Sequence, residues 1–233
     1  PSIQLGAVTA QGVSRLMGRT RMEERYLLTS GASAGLAAAF NAPLAGVIFA
    51  LEELHRNFSI MVLLPSMAAA FTATIISRAI FGRATIFDIP DLQLLPISYY
   101  GIVILVALAS GLAGVIFNWG LLNIGRFYSL PCFKRPVQKI AFALICAGIL
   151  GYFLPEVLGG GNDLINHLAK APVSLQLLLI FLAGKLIFTL ISYGCGVPGG
   201  FFLPMLVIGA LCGSICAQML IMLGWIEPAY STN

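Results

Sequence analysis

Residues 194–204, GCGVPGGFFLP, interrupt a stretch without charged residues that runs from Leu186 to Ile226. The apolar flanks on both sides suit helices, but the glycines and prolines between them disfavour a continuous helix. A helix that breaks at membrane depth leaves backbone N–H and C=O groups without partners, which is tolerated only where the break is buried in protein or lines a cavity. The stretch therefore predicts a broken membrane helix whose backbone groups face a cavity.

The second half of this break has the features of an anion site. Gly199 and Gly200 let the backbone approach a ligand closely, and Pro204 suits the first turn of a new helix. The amides of Phe201 and Phe202 are then expected at a helix N-terminus, where unbonded N–H groups and the positive end of the helix dipole attract an anion. The alternative interpretation is a glycine motif for close helix packing.

The composition predicts an all-α polytopic membrane protein with broken and tilted helices. The 233 residues are 59% hydrophobic and 9% charged, whereas soluble domains carry about 25% charged residues. The net charge of +4 comes from basic residues between the apolar runs, which is typical of membrane loops and not of a nucleic-acid surface. The five cysteines show no metal or disulfide spacing, and no cofactor is expected.

The apolar runs also give the order of the expected helices. These runs are 1–17, 32–51, 58–77, 97–122, 140–154, 173–193 and 203–223. Asn41 and Pro43 are expected to divide the second run into two helical pieces. Residues 156–170 are expected to form a loop.

Charges between the runs indicate the orientation. Two spans separate the charged group 53–56 from the basic loop 126–139, so both are expected on one side of the membrane. Positive charges in the second loop predict that this side is cytoplasmic. If the run 32–51 crosses the membrane once, the charged cluster 15–25 lies outside, against the same rule. Either this run does not simply cross, or the cluster is an exception, so the sequence does not assign the cluster to one side of the membrane.

One internal repeat is visible. Residues 1–7 match residues 204–210 as P-x-x-x-[LI]-G-A. Repeats that each start a half-helix at a proline are typical of transporters built from inverted halves.

Two adjacent carboxylates end the second apolar run. Glu52 and Glu53 would lie at a helix C-terminus, where the negative end of the dipole disfavours them. Either they form a solvated helix end with His55 and Arg56 as partners, or one of them accepts protons at the membrane edge, as intramembrane acids often do.

A second short motif has two interpretations. Residues 31–35, GASAG, match G-x-S-x-G, which in hydrolases needs a strand–turn–helix context and partners for the serine. Here the motif opens an apolar helix, so a small-residue packing face is favoured over an intramembrane serine hydrolase using Ser33. Lys185, inside a predicted span, is either a counter-ion or a side chain that reaches the interface.

Three stretches together resemble the CLC chloride channel and transporter family. Residues 31–53, GASAGLAAAFNAPLAGVIFALEE, are similar to its signature across helices G and H. Residues 200–204, GFFLP, are similar to its G-x-F-x-P motif, with Gly200, Phe202 and Pro204 at the motif positions. Residues 1–6, PSIQLG, resemble the segment that begins with the last residue of its G-R-E-G-P motif, which is Pro1 here.

The resemblance implies an inverted-repeat, CLC-like architecture within one transmembrane domain over 1–233. Residues 1–80 would end the first half and residues 92–233 would start the second half. It also implies a homodimer in a lipid bilayer, with one anion pathway per subunit. A bacterial inner (plasma) membrane location is expected, without enzymatic activity and without a nucleic-acid partner.

The resemblance implies roles for individual residues. Phe201 and Phe202, with Gly200, would bind the central chloride through their backbone amides. Glu53 would be the internal proton-transfer glutamate, which favours proton-coupled chloride exchange over the alternative, a passive voltage-gated chloride channel. Chloride and protons would then be the transported ligands, and no metal is implied.

The resemblance also implies that the sequence is a central fragment. The gating glutamate of the family would precede Pro1, and the serine loop that sets anion preference would lie further upstream. A tyrosine that contacts the anion would follow Asn233.

Overall fold

The computed structural model describes residues 1–82, 96–170, 173–197 and 199–225, and these residues form helices joined by turns. No strand occurs among them, which confirms the all-α class. The chain divides into two units, Pro1–Ile86 and Phe87–Asn233.

In the first unit, the described residues form four α-helices. They are α1 (Ser2–Leu16), α2 (Arg21–Phe40), α3 (Pro43–Phe49) and α4 (Ile60–Phe81), and α3 continues into a π-helical turn over Ala50–His55. The predicted break between α2 and α3 is confirmed. Asn41 adopts the left-handed conformation that ends α2, and Pro43 opens α3. The Arg78 guanidinium donates hydrogen bonds to the side chain and backbone oxygens of Asn41.

Helix α2 begins at Arg21, eleven residues before the apolar run 32–51, because a capping box starts it. The Thr20 hydroxyl accepts a hydrogen bond from Glu23 N at 3.4 Å, and the Glu23 carboxylate accepts one from Thr20 N at 2.9 Å. This reciprocal pair satisfies amides that would otherwise be unbonded. The hydrogen bond from the Thr20 backbone also lowers the pKa of the Glu23 carboxyl. The cluster 15–25 is thus the end of one helix and the start of the next.

Helices α1 and α2 pack backbone against backbone. A Cβ atom at Gly6 would overlap the carbonyl oxygen of Gly31, and one at Gly35 would overlap the carbonyl oxygen of Ser2. On the other side of α2, a Cβ at Gly46 would lie 2.7 Å from the carbonyl oxygen of Ser33. The motif at 31–35 is therefore a packing face, as its small residues predict.

Five α-helices lie in the part of the second unit that the structure describes. They are α5 (Tyr100–Phe127), α6 (Pro136–Phe153), α7 (Asn162–Lys170), α8 (Leu175–Gly194) and α9 (Phe202–Met222). The prediction of a loop over 156–170 was wrong for α7, because this helix is amphipathic and its polar residues obscured a short apolar face. Leu164 is fully buried in a core with Phe181, Val207 and Leu211.

Five of these helices, α4, α5, α6, α8 and α9, are long and apolar enough to cross a membrane. Their outer faces carry many exposed large apolar side chains, including Ile75 on α4 and Leu122 on α5. Such surfaces suit a lipid environment.

We expect Gly6→Ala to lower the free energy of unfolding by about 1–3 kcal/mol, because its methyl group would force α1 away from α2. Gly12→Ala, on the same helix, is the control, since nothing lies within 4 Å of its Cβ position and alanine favours the helix by roughly 1 kcal/mol. Melting temperatures of both variants in detergent measure the difference. Equal shifts would contradict the backbone contact.

Candidate functional site

The predicted break is present between α8 and α9. Helix α8 ends at Gly194, Gly196 turns the chain with φ +84°, and α9 begins at Phe202 with Phe201 as its N-cap. Pro198 lies outside the described residues. The Phe201 carbonyl accepts a hydrogen bond from Met205 N at 3.0 Å in the first turn of α9.

This geometry places the predicted anion-binding residues at one helix end. The amides of Phe201 and Phe202 lie at the N-terminal end of α9, where the helix dipole is positive. Pro204 is the third residue of the helix and is buried, and its lack of an N–H costs no helical hydrogen bond there. Pro1 lies at the corresponding end of α1, as its N-cap.

A cleft of about 330 Å³ opens beside this helix end. Its walls come from the end of α8 with Ser192 and Tyr193, from residues 199–201 and from α6. The described lining residues include no charged side chain. An anion here would meet backbone dipoles and hydroxyl groups and no formal positive charge.

Glu53 lies in the first unit, in the π-helical turn Ala50–His55. Its side chain is exposed, as is that of Glu52, whereas Ala50 and Leu51 are buried. Within the described ranges neither carboxylate forms an ion pair, and the His55 ring instead lies 5.8 Å from the Tyr26 ring. The partners proposed for a solvated helix end, His55 and Arg56, are therefore not paired with these acids. Single π-helical turns are rare and often occur at functional sites.

Comparison with known proteins identifies the family. The family model for the voltage-gated chloride channel matches residues 1–232. This chain belongs to the voltage-gated chloride channel family. The resemblance noted from the sequence motifs is thereby confirmed.

The curated relatives of this chain include exchange transporters. The chain is 32% identical to the H(+)/Cl(-) exchange transporter ClcA of Vibrio cholerae over 220 residues, covering 91% of this chain and 47% of the relative. It is 35% identical to ClcA of Citrobacter koseri over 223 residues, covering 92% of this chain and 46% of the relative. The chain thus spans about half the length of the curated relatives it matches.

A solved structure of a slow cyanobacterial Cl⁻/H⁺ antiporter is also similar. The TM-score is 0.84 at 29% identity, covering 99% of this chain and 55% of that chain. With five helices able to cross a membrane and with bacterial relatives, the family member is a multi-pass integral membrane protein of the bacterial inner membrane.

One element beside the cleft was not predicted from the sequence. It is the glycine loop, residues 159–161, which the buried Lys185 side chain holds in place. Lys185 is fully buried, and its Nζ donates hydrogen bonds to the carbonyl oxygens of Val157 and Gly159, each at 2.9 Å. It therefore does not reach the interface, and no ion pair involves it among the described residues. Gly159 itself lines the cleft.

The same loop packs against the start of α9. A Cβ at Gly160 would overlap the side chain of Leu203, and one at Gly161 would lie 2.7 Å from Val207 and 3.1 Å from Lys185 Nζ. The loop, Lys185 and the first turns of α9 therefore support one another. The three consecutive glycines were the sequence signal for this contact.

We expect Lys185→Met to lower the melting temperature by several degrees. The variant keeps much of the stem but leaves the Val157 and Gly159 carbonyls without a donor, and each buried unsatisfied group costs about 1–3 kcal/mol. Lys134→Met, at an exposed lysine of the same unit, is the control and should leave the melting temperature nearly unchanged. A Lys185→Met protein as stable as the control would show that the loop does not depend on this cation.

Proposed function

We propose that the full-length protein exchanges chloride for protons across the membrane. The observation that carries this proposal is the interruption between α8 and α9, which places residues 200–202 at a helix N-terminus, with Gly200 and Phe201 lining a cleft whose described residues carry no charge. The names of the similar exchange transporters and of the similar antiporter structure support the same activity.

The chemistry of the cleft suits transport of a small anion. A helix N-terminus carries about half a unit of positive charge, which attracts an anion without a formal cation. Transport requires binding that is strong enough for entry and weak enough for release. Backbone amides provide such intermediate attraction, and they carry no titratable group that would change it with pH.

Glu53 favours exchange over the alternative of a passive voltage-gated channel. It is an exposed carboxylate at the end of the apolar segment α3, in a π-helical turn without an ion-pair partner among the described residues. Such a group is available to take up and release a proton. A passive channel would need no carboxylate at this position.

The remaining proposals concern partners and enzymatic activity. We infer that the protein is a transporter without enzymatic activity or a cofactor. The alternative of an intramembrane serine hydrolase is disfavoured, because Ser33 is fully buried and its hydroxyl donates to the Ser66 carbonyl at 3.5 Å. Exposed apolar side chains on α3 and α4, such as Leu44, Ile48 and Leu64, are available to lipid and to a second copy in a homodimer.

The amide site is tested by two substitutions at one residue. We expect Phe201→Pro, which removes the N–H, to weaken chloride binding by about tenfold, the effect of losing one hydrogen bond to a charged group. Phe201→Ala keeps the N–H and should change the dissociation constant by less than about threefold. Isothermal titration of the full-length protein with chloride gives both values, and melting temperatures show that both variants fold. A larger loss for alanine than for proline would assign the binding to the ring and overturn the amide site.

The role of Glu53 in proton transport is tested by substitution. We expect Glu53→Gln to abolish proton transport and retain chloride movement, because glutamine keeps the size of the side chain and cannot take up a proton. Reconstituted liposomes with a chloride gradient, followed by a pH electrode and a chloride electrode, measure both fluxes.

Glu52→Gln is the matched control, since adjacent residues of a helical turn point in different directions. Coupling that is lost only in Glu52→Gln would assign the proton step to the neighbouring acid. Coupling that survives in both variants would leave the two acids as a solvated helix end.

A further inference from the structure

The last turn of α8, which borders the cleft, is capped by groups outside the helix. The final four carbonyl groups of an α-helix have no intrahelical donor. In α8 the hydroxyl of Tyr128 donates to the Ile191 carbonyl at 2.8 Å, the Cys195 thiol donates to the Ser192 carbonyl at 2.9 Å, and Gly196 N donates to the Tyr193 carbonyl at 3.4 Å. Of these donors, only Tyr128 comes from a distant part of the sequence.

Tyr128 is held in place by its neighbours. Its side chain is 2% exposed, and its ring lies 5.5 Å from Phe127, 5.1 Å from Phe133 and 6.4 Å from Phe142. Lys139 Nζ lies 6.0 Å from the ring centroid. A side chain fixed by this aromatic cluster (Phe127, Tyr128, Phe133 and Phe142) loses little further freedom when its hydroxyl binds the end of α8.

A second contact joins the same ring to the same helix end. A Cβ at Gly194 would lie 2.6 Å from Tyr128 Cε2 and 2.6 Å from Ile124 Cγ1. The last residue of α8 is therefore pressed against the ring without a side chain between them. The hydrogen bond and the glycine contact together fix where α8 ends.

That helix end forms one wall of the proposed anion site. Ser192 and Tyr193 line the cleft with Gly200 and Phe201, and the rings of Tyr193 and Phe201 meet edge to face with centroids 5.5 Å apart. The carbonyl end of a helix carries negative charge, which repels an anion when it is not neutralised. A donor on the Ile191 carbonyl reduces that charge and fixes the position of the helix end that carries Tyr193.

We propose that Tyr128 is a positioning residue of the anion site, which holds and neutralises the carbonyl end of α8 so that the amide end of α9 binds chloride. The inference rests on the proposed function. Burial raises the pKa of Tyr128 to about 12, so the hydroxyl keeps its proton and acts as a donor at every pH at which transport is assayed.

The test is Tyr128→Phe in the full-length protein. The ring and its packing remain, and only the donor to Ile191 is lost. We expect the chloride dissociation constant from isothermal titration to rise about threefold to tenfold, in line with one lost hydrogen bond, with an unchanged ratio of protons to chloride in liposomes. Tyr152→Phe is the control, since Tyr152 is 83% exposed on α6, and it should leave the dissociation constant unchanged.

A second variant approaches the same contact from the other side. Gly194→Ala pushes the ring away from α8 and should weaken chloride binding in the same direction as Tyr128→Phe. If Tyr128→Phe lowers the melting temperature but binds chloride as the wild type does, the residue is purely structural and the inference fails while the proposed function stands. If the wild-type protein itself binds no chloride, the proposed function fails and the inference fails with it.

Discussion

An interrupted membrane helix must satisfy the backbone groups at both of its broken ends, and the second unit is built around that constraint. At the carbonyl end, α8 receives donors from Tyr128, Cys195 and Gly196. At the amide end, α9 begins beside a cleft at Phe202. The surroundings of the two helix ends therefore differ. Protein donors bind the carbonyl groups of the negative end, and the positive end borders a cleft whose described lining carries no charged side chain.

In each unit, glycines allow neighbouring segments to pack in close contact. Lipid provides no hydrophobic force between membrane helices, so packing and hydrogen bonds hold them together. In the first unit, Gly6 and Gly31 allow α1 and α2 to touch through their backbones. In the second, Gly160 and Gly161 bring the glycine loop onto α9, and Gly194 brings α8 onto Tyr128. The first contact joins the interiors of two helices, whereas the contacts in the second unit fix a loop and a helix end against a neighbour.

The sequence predicted the interruptions well, because glycine and proline act locally. The break at 194–204 and the break near Asn41 both appear where these residues lie. The start of α2 was not predicted, because its capping box lies among charged residues outside the apolar run. Helix α7 was not predicted, because it is mostly polar and has only a short apolar face. Contacts between distant segments leave no local pattern. The hydrogen bond of Tyr128 to α8 spans 63 residues, and neither residue alone indicates it.

The position of Lys185 shows how a membrane-buried lysine can lie near a cleft whose described lining residues carry no formal charge. A charged side chain within a membrane is costly unless polar groups surround it. Here two carbonyl oxygens of the glycine loop accept its hydrogen bonds. Its charge is therefore directed at the loop that supports α9, and the described residues that line the cleft carry no formal charge. Under the proposed function, a formal positive charge in the cleft would bind the anion more strongly than amide dipoles would, and it would slow the release of the anion.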